Sequence, residues 1–302
     1  MRDEHQYDVM LKGPYFCDMI FTGLPRMPEL GEDLYSQQLE VVPGGTFYTA
    51  TAMKRLGLRT GWVCQFGNDM FSQFVLQAVQ REGLDEALFQ FYDHPVRSVA
   101  AAFSFPHERG FVSYMDPLPE VSLMPLIQQY KPRCLFLPSL RTDILEMIEV
   151  AHGVGTMVYM DCQAHHTSIE VPEVEAALRA VDIFAPNTSE ALALTGCDSV
   201  EEALEELNAL TPLVIIKRGA QGAAARDRHA TYQVPGISVT SIDTTGAGDC
   251  FNAGFLYGYL RGRPVEKCLQ LGNICGGLST TAPGGSAVPT ADEAQAWLNR
   301  YS

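Results

Sequence analysis

Seven consecutive residues, Asp243-Thr244-Thr245-Gly246-Ala247-Gly248-Asp249, are the part of this chain whose types and order could do chemistry. Phe251, Phe255 and Tyr259 follow at helical spacing, so Gly246, Ala247 and Gly248 sit where a loop turns into a helix. Unblocked N–H groups and the positive end of the helix dipole favour an anion at such a start, and small side chains let a phosphate approach closely. A carboxylate in the first turn, Asp249, could accept the proton of a hydroxyl while neighbouring amides stabilise charge on a transferring phosphoryl group. Taken alone, a Gly-Asp pair at a helix start reads more readily as a cap. The surrounding sequence reverses that preference.

The stretch from Ile242 to Phe255 resembles the C-terminal signature of the ribokinase-like (PfkB) carbohydrate kinases, D-T-x-G-A-G-D, and the resemblance runs along nearly the whole chain. Gly44-Gly45 with the following Ala50, Ala52 and Leu56-Gly57 is similar to the family's N-terminal glycine pair. Pro186-Asn187-Thr188-Ser189-Glu190 resembles its N-x-x-E motif, and Lys217-Arg218-Gly219-Ala220-Gln221-Gly222 resembles its nucleotide loop. The resemblance implies transfer of the γ-phosphate of ATP to a hydroxyl of a small sugar or sugar-like acceptor. It implies Asp249 as base and Gly246, Ala247 and Gly248 as the anion hole. Asn187 and Glu190 would organise Mg²⁺ and phosphates, largely through water. Lys217, Gly219 and Gly222 would face the nucleotide and Asn273 the adenine, while Asp18, Gly44, Gly45 and Thr49 would meet the acceptor. Asp243 and Thr245, with backbone oxygens of Ser279, Ala282 and Gly284, occupy the family's places for a monovalent cation such as potassium. Without the family, Asn187 and Glu190 read as a helix cap and a first-turn acid, Lys217 as a strand-end charge, and Gly284-Gly285 as a turn.

The chain also departs from the pattern. Thr49, preceded by Phe47 and Tyr48, stands where many sugar-specific members carry Asn, and Asp161-Cys162-Gln163-Ala164-His165-His166 replaces a D-x-N-x-R stretch, leaving His165 or His166 as substitutes for the Arg. Arg97 and Arg141 are candidates for a substrate anion, or ordinary surface charges. The acceptor stays open between a sugar, a sugar acid and a nucleoside, the last needing an aromatic pocket for which Phe16, Phe103 and Phe105 are available. A catalytically silent sugar- or nucleotide-binding regulator would have no need of Asp249. A dinucleotide-dependent oxidoreductase would need a G-x-G-x-x-G after the first strand, which is absent.

The elements that must position these residues are legible as a rhythm. Short apolar runs at 7–11, 61–66, 133–137, 156–160, 182–185 and 212–217 alternate with helical patterns near 45–56, 69–82, 143–152, 171–180 and 199–209. This predicts one α/β domain over residues 1–302, a doubly wound, mostly parallel sheet with helices on both faces. Two segments, 16–42 and 88–114, break the rhythm with aromatic and β-branched residues and turn signals at Pro25, Pro28, Gly31 and Gly110. They predict a small β-sheet lid that keeps water from the phosphate. Its exposed edges suggest a homodimer.

Composition bounds the partners. A net charge of −15 without a basic run argues against nucleic acid and anionic membranes. The eight cysteines are dispersed, with no C-x-x-C pair, which suggests reduced, buried thiols. The polar N-terminus and the lack of a long apolar stretch suggest a cytoplasmic protein.

Overall fold

The computed structural model describes residues 5–105, 109–163, 167–282 and 287–300. The chain opens with β1 (Val9–Lys12), the lid strands β2 (Tyr15–Thr22) and β3 (Gln38–Gly45), α1 (Thr46–Arg55), β4 (Thr60–Phe66), α2 (Met70–Glu82) and β5 (Phe89–Phe91). Two further lid strands follow, β6 (Ser98–Ser104) and β7 (Arg109–Met115). The middle of the chain is α3 (Met124–Tyr130), β8 (Cys134–Leu137), α4 (Leu145–Gly153), β9 (Met157–Asp161), α5 (Pro172–Ala180), β10 (Ile183–Ala185), α6 (Thr188–Thr195) and α7 (Val200–Asn208). It closes with β11 (Leu213–Lys217), β12 (Ala223–Asp227), β13 (Thr231–Val234), α8 (Ala247–Tyr259), α9 (Val265–Ser279) and α10 (Ala291–Arg300).

The main sheet runs in the order β13-β12-β11-β10-β9-β8-β1-β4-β5. Strands β11 through β5 in that order are parallel, while β12 and β13 turn back antiparallel. Its strands are apolar on both sides because both faces are covered. Alternation divides them between two cores: Val9 and Leu11 join one and Met10 the other, and Leu213 and Ile215 oppose Val214 and Ile216 in the same way. Met53 of α1, Val75 of α2, Phe255 of α8, Leu271 of α9 and Leu298 of α10 fill the first core. Ile127 of α3, Ile148 of α4, Leu178 of α5, Leu194 of α6 and Leu207 of α7 fill the second.

The lid is a four-stranded sheet in the order β3-β2-β6-β7. It extends beyond the anticipated segment, since β3 continues through Gly44 and Gly45, which pair with Phe16 and Tyr15. One strand inside segment 88–114 is not lid at all. β5 pairs with β4 at the edge of the main sheet, because Phe89 packs edge-on against Trp62 and tilted against Phe66 in the first core. Among the described residues, no helix is long and apolar enough to cross a membrane.

Candidate active site

Helix α8 starts on Gly246, whose φ of 73° lies in the left-handed region and whose missing side chain leaves room for the Tyr48 ring. The first helical hydrogen bond runs from the Cys250 N–H to the Gly246 carbonyl at 2.9 Å. The amides of Gly248 and Asp249 therefore precede the ladder and have no intrahelical acceptor. Of the three residues anticipated as an anion hole, Ala247 has an N–H that closes a turn on the Thr244 carbonyl at 3.2 Å. At Gly248, the only neighbour a Cβ would meet within 4 Å is the Lys217 ammonium, 3.6 Å away. A side chain there would fill the space in front of that cation.

Asp249 in the first turn of α8 is held from the facing helix. The buried Thr49, one turn into α1, donates its hydroxyl to Asp249 Oδ1 at 2.5 Å. Burial pushes the Asp249 carboxyl up to about 6, helped by the charge of Asp161, while the Thr49 hydroxyl and Lys217 pull the other way. A carboxylate poised near neutrality is suited to take a proton. Thr49, expected among the acceptor-binding residues, is tied to Asp249 by this bond.

Asp18 projects from β2 beside Gly44, where a Cβ would lie 2.0 Å from its Oδ2 and leave no room for the carboxylate. Gly45, with φ of 64°, likewise brings the chain against the Pro14 carbonyl. Burial, then the charge of Asp243, push Asp18 up to about 6. The buried Tyr48 hydroxyl faces Asp18, Asp243 and Asp249. It is close enough to Asp18 to favour the charged form, yet outside hydrogen-bonding geometry with any partner among the described residues. Asp18, Asp243 and Thr245 line one cavity of about 190 Å³ under the lid, with Ile20 and Phe111.

Lys217 belongs to a network whose other members, Asp161, Asn252 and Tyr159, were given no role by sequence reading. Lys217 ends β11 and Asp161 ends β9, and the ammonium reaches both carboxylate oxygens at 2.7 and 2.8 Å. Asn252 of α8 donates to Asp161 Oδ2 at 2.6 Å and accepts from the Tyr159 hydroxyl at 2.8 Å. The signal was available, since a carboxylate at the carboxyl end of a parallel strand, Asp161, stands where open α/β sheets place their ligands.

Asn187 and Glu190 form a capping box on α6. The Asn187 side chain accepts from the Glu190 N–H at 3.0 Å, and Glu190 Oε2 accepts from the Asn187 N–H at 2.8 Å. The box stands beside Lys217, with which Asn187 makes a parallel bridge. Lys217, Gly219, Gly222, Ala247, Gly248 and Asn273 border one cleft of about 310 Å³, whose apolar wall includes Ile237, Val239 and Phe251. Asn273, expected to face an adenine, donates its amide to the carbonyls of Val234 and Pro235 at 3.2 and 3.1 Å and so braces that cleft.

The residues anticipated around a cation are spread over several local interactions. Asp243 Oδ1 accepts from the Thr245 N–H at 2.9 Å, and the Ser279 hydroxyl donates to the Gly276 carbonyl. Ala282 follows in the same turn region, and Gly284 lies outside the described residues, as do His165 and His166. Arg97 pairs with Asp116 and Arg141 with Asp143, each through two hydrogen bonds.

Residues 24–292 match the profile of the pfkB family carbohydrate kinases. The chain is 41% identical over 242 residues to the cytidine kinase of Thermococcus kodakarensis, covering 76% of this chain and 85% of that protein. It is 25% identical over 287 residues to the ATP-dependent 6-phosphofructokinase of Thermoanaerobacterium thermosaccharolyticum, covering 89% and 87%. The structure of the Arabidopsis thaliana ribokinase complexed with ribose and ATP superposes with a TM-score of 0.83 over 97% of this chain and 98% of that one, at 20% identity. That likeness establishes the doubly wound fold with its smaller second sheet.

Proposed function

From the chain's membership of the pfkB carbohydrate kinase family, and from Asp249 held against Thr49 at the start of α8, we propose an ATP-dependent transfer of phosphate to a hydroxyl of a small sugar or sugar-like acceptor. Asp249 takes the proton of the attacking hydroxyl. The amides before the α8 ladder and the Lys217 ammonium stabilise charge on the transferring group. The observation that carries this is the meeting of Gly248 and Lys217 on one edge of a cleft with an apolar wall, with Asp249 next in the chain and held on Thr49.

ATP fits the cleft by chemistry, since Gly248 leaves open the space before Lys217 and Phe251 and Ile237 offer a flat apolar surface. Among the described residues no three carboxylate, His or Cys groups converge to hold a metal. Magnesium would arrive with the nucleotide and keep mostly phosphate and water ligands, with Asn187 and Glu190 beside it. Potassium beside Asp243 and Thr245 belongs to the same proposal, as does a homodimer through the lid.

The test is ADP release from Mg-ATP, with potassium present, across sugars, sugar acids, sugar phosphates and nucleosides. Release dependent on one acceptor supports the reading, and bound ATP with silence across the panel points to a regulator. A nucleoside acceptor is the second reading, favoured by the 41% identity to a cytidine kinase.

A further inference from the structure

Two adjoining clefts, of about 490 and 460 Å³, open where β1, β4 and β8 end, and both are bordered by Lys12, Gly13, Glu120 and Arg141. Neither is lined by Asp18, Gly44, Gly45 or Thr49, but Arg141, which sequence reading offered for a substrate anion, borders both. The space is also linked to Asp249. A Cβ on Gly13 would lie 2.0 Å from Thr46 Oγ1, and the Thr46 N–H donates to the Pro14 carbonyl at 3.1 Å. Thr46 is one turn before Thr49, the residue that holds Asp249, so one turn of α1 links Gly13 at the edge of the cleft to the partner of Asp249.

Two features of the cleft point to a ligand. The Ser98 side chain from lid strand β6 is 2% exposed, borders the larger cleft, and has a hydroxyl with no hydrogen-bond partner among the described residues. A buried hydroxyl left unpaired is costly, and a ligand oxygen would satisfy it. The second feature is Glu120, whose Oε1 lies 3.1 Å from Lys12 Nζ and 3.9 Å from Arg141 Nη2. One carboxylate-sized anion therefore fits between these cations. The Glu120 side chain is 72% exposed against 25% for Lys12, and Asp143, the other partner of Arg141, is 65% exposed. Ion pairs made by such solvated carboxylates are weak and readily exchanged. Lys12 by contrast is tied in place by a 2.7 Å bond to the Val121 carbonyl.

Resting on the kinase reading, we propose that the acceptor carries an anionic group, a phosphate or a carboxylate, away from its reacting hydroxyl. Lys12 and Arg141 hold that group where the Glu120 carboxylate stands in the free protein, and Ser98 donates to an oxygen of the same molecule. Charge-assisted bonds to a planar guanidinium and to an ammonium suit either anion.

The experiment titrates matched neutral and charged acceptors, ribose with ribose 5-phosphate and glucose with gluconate, into the protein holding a non-transferable ATP analogue. ADP release from Mg-ATP is followed with the same compounds. The charged member of at least one pair should bind at least tenfold more tightly. Lys12→Met or Arg141→Met should remove most of that preference, and Glu120→Gln, at an exposed position, should strengthen charged binding severalfold. Equal binding within both pairs, no binding by any member, or a preference that survives both Met variants overturns the proposal. ADP release with neutral members alone overturns it and leaves the kinase reading standing. Lys12-dependent binding without ADP release does the reverse.

Discussion

At the scale of single residues, Asp249 and Asp161 form a coupled pair across Lys217. Burial raises the Asp249 pKa most, the Thr49 hydroxyl and Lys217 lower it and the charge of Asp161 raises it further, so Asp161 and Lys217 adjust where the proposed base becomes available. The other groups facing Asp249 are the Thr49 hydroxyl and the Tyr48 phenol. With Asp249 at about 6, kcat/KM should rise as pH increases through that value. Asp161→Asn removes a negative charge and releases Lys217 from its partner, and both changes lower the Asp249 pKa. The acidic limb should therefore move to lower pH, and a pH profile of kcat/KM checks it. An unmoved limb would leave Asp161 as a purely structural brace. The GAGD run announced Asp249 because loop, glycines and acid are contiguous. Asp161, Asn252 and Tyr159 come from separate elements, β9 and α8, and only folding brings them together.

At the scale of elements, the helices anticipated near 45–56, 69–82, 171–180 and 199–209 correspond to α1, α2, α5 and α7 within one or two residues. Their ends are written in local chemistry: Asp69 accepts from the Phe71 and Ser72 amides, Pro172 opens α5, and Ser199 caps α7. β5 was misassigned to the lid because a three-residue strand carries too little alternation to reveal its sheet, and Phe89 is placed by long-range packing on Trp62 and Phe66. The α6 start has two roles that a single variant separates. Asn187→Ala should cost about 1 kcal/mol through loss of the cap, read from the denaturant midpoint. If Asn187 also organises the metal and phosphates, Mg-ATP affinity falls as well; unchanged affinity restricts it to capping.

At the scale of the whole molecule, the lid leaves β3 and β7 as sheet edges, with Leu39, Val41, Phe111, Val112 and Tyr114 exposed. Unpaired edges with apolar side chains are templates for another chain. The proposed homodimer predicts a mass of twice 33.2 kDa by light scattering at micromolar concentration, and Val112→Asp should shift it toward the monomer. A monomeric wild type would count against the dimer without touching the active site. The parallel sheet and lid were legible because their strands carry distinct patterns, continuous apolar runs against aromatic alternation, whereas the clefts beside Lys12 depend on how lid and sheet meet. The proposed activity stands or falls with Asp249 as the base of a phosphoryl transfer. Asp249→Asn keeps an oxygen for the Thr49 hydroxyl but cannot take the proton, and it removes a carboxyl whose raised pKa makes ionisation a cost to the fold, a cost that sets in as pH rises through 3.8 and is complete above about 6. Measured at pH 7.5 with the acceptor the panel identifies, this variant should bind ATP as the wild type does, melt no lower, and turn over 10²–10⁴-fold more slowly, the order expected for loss of a general base; near-wild-type turnover would contradict the account.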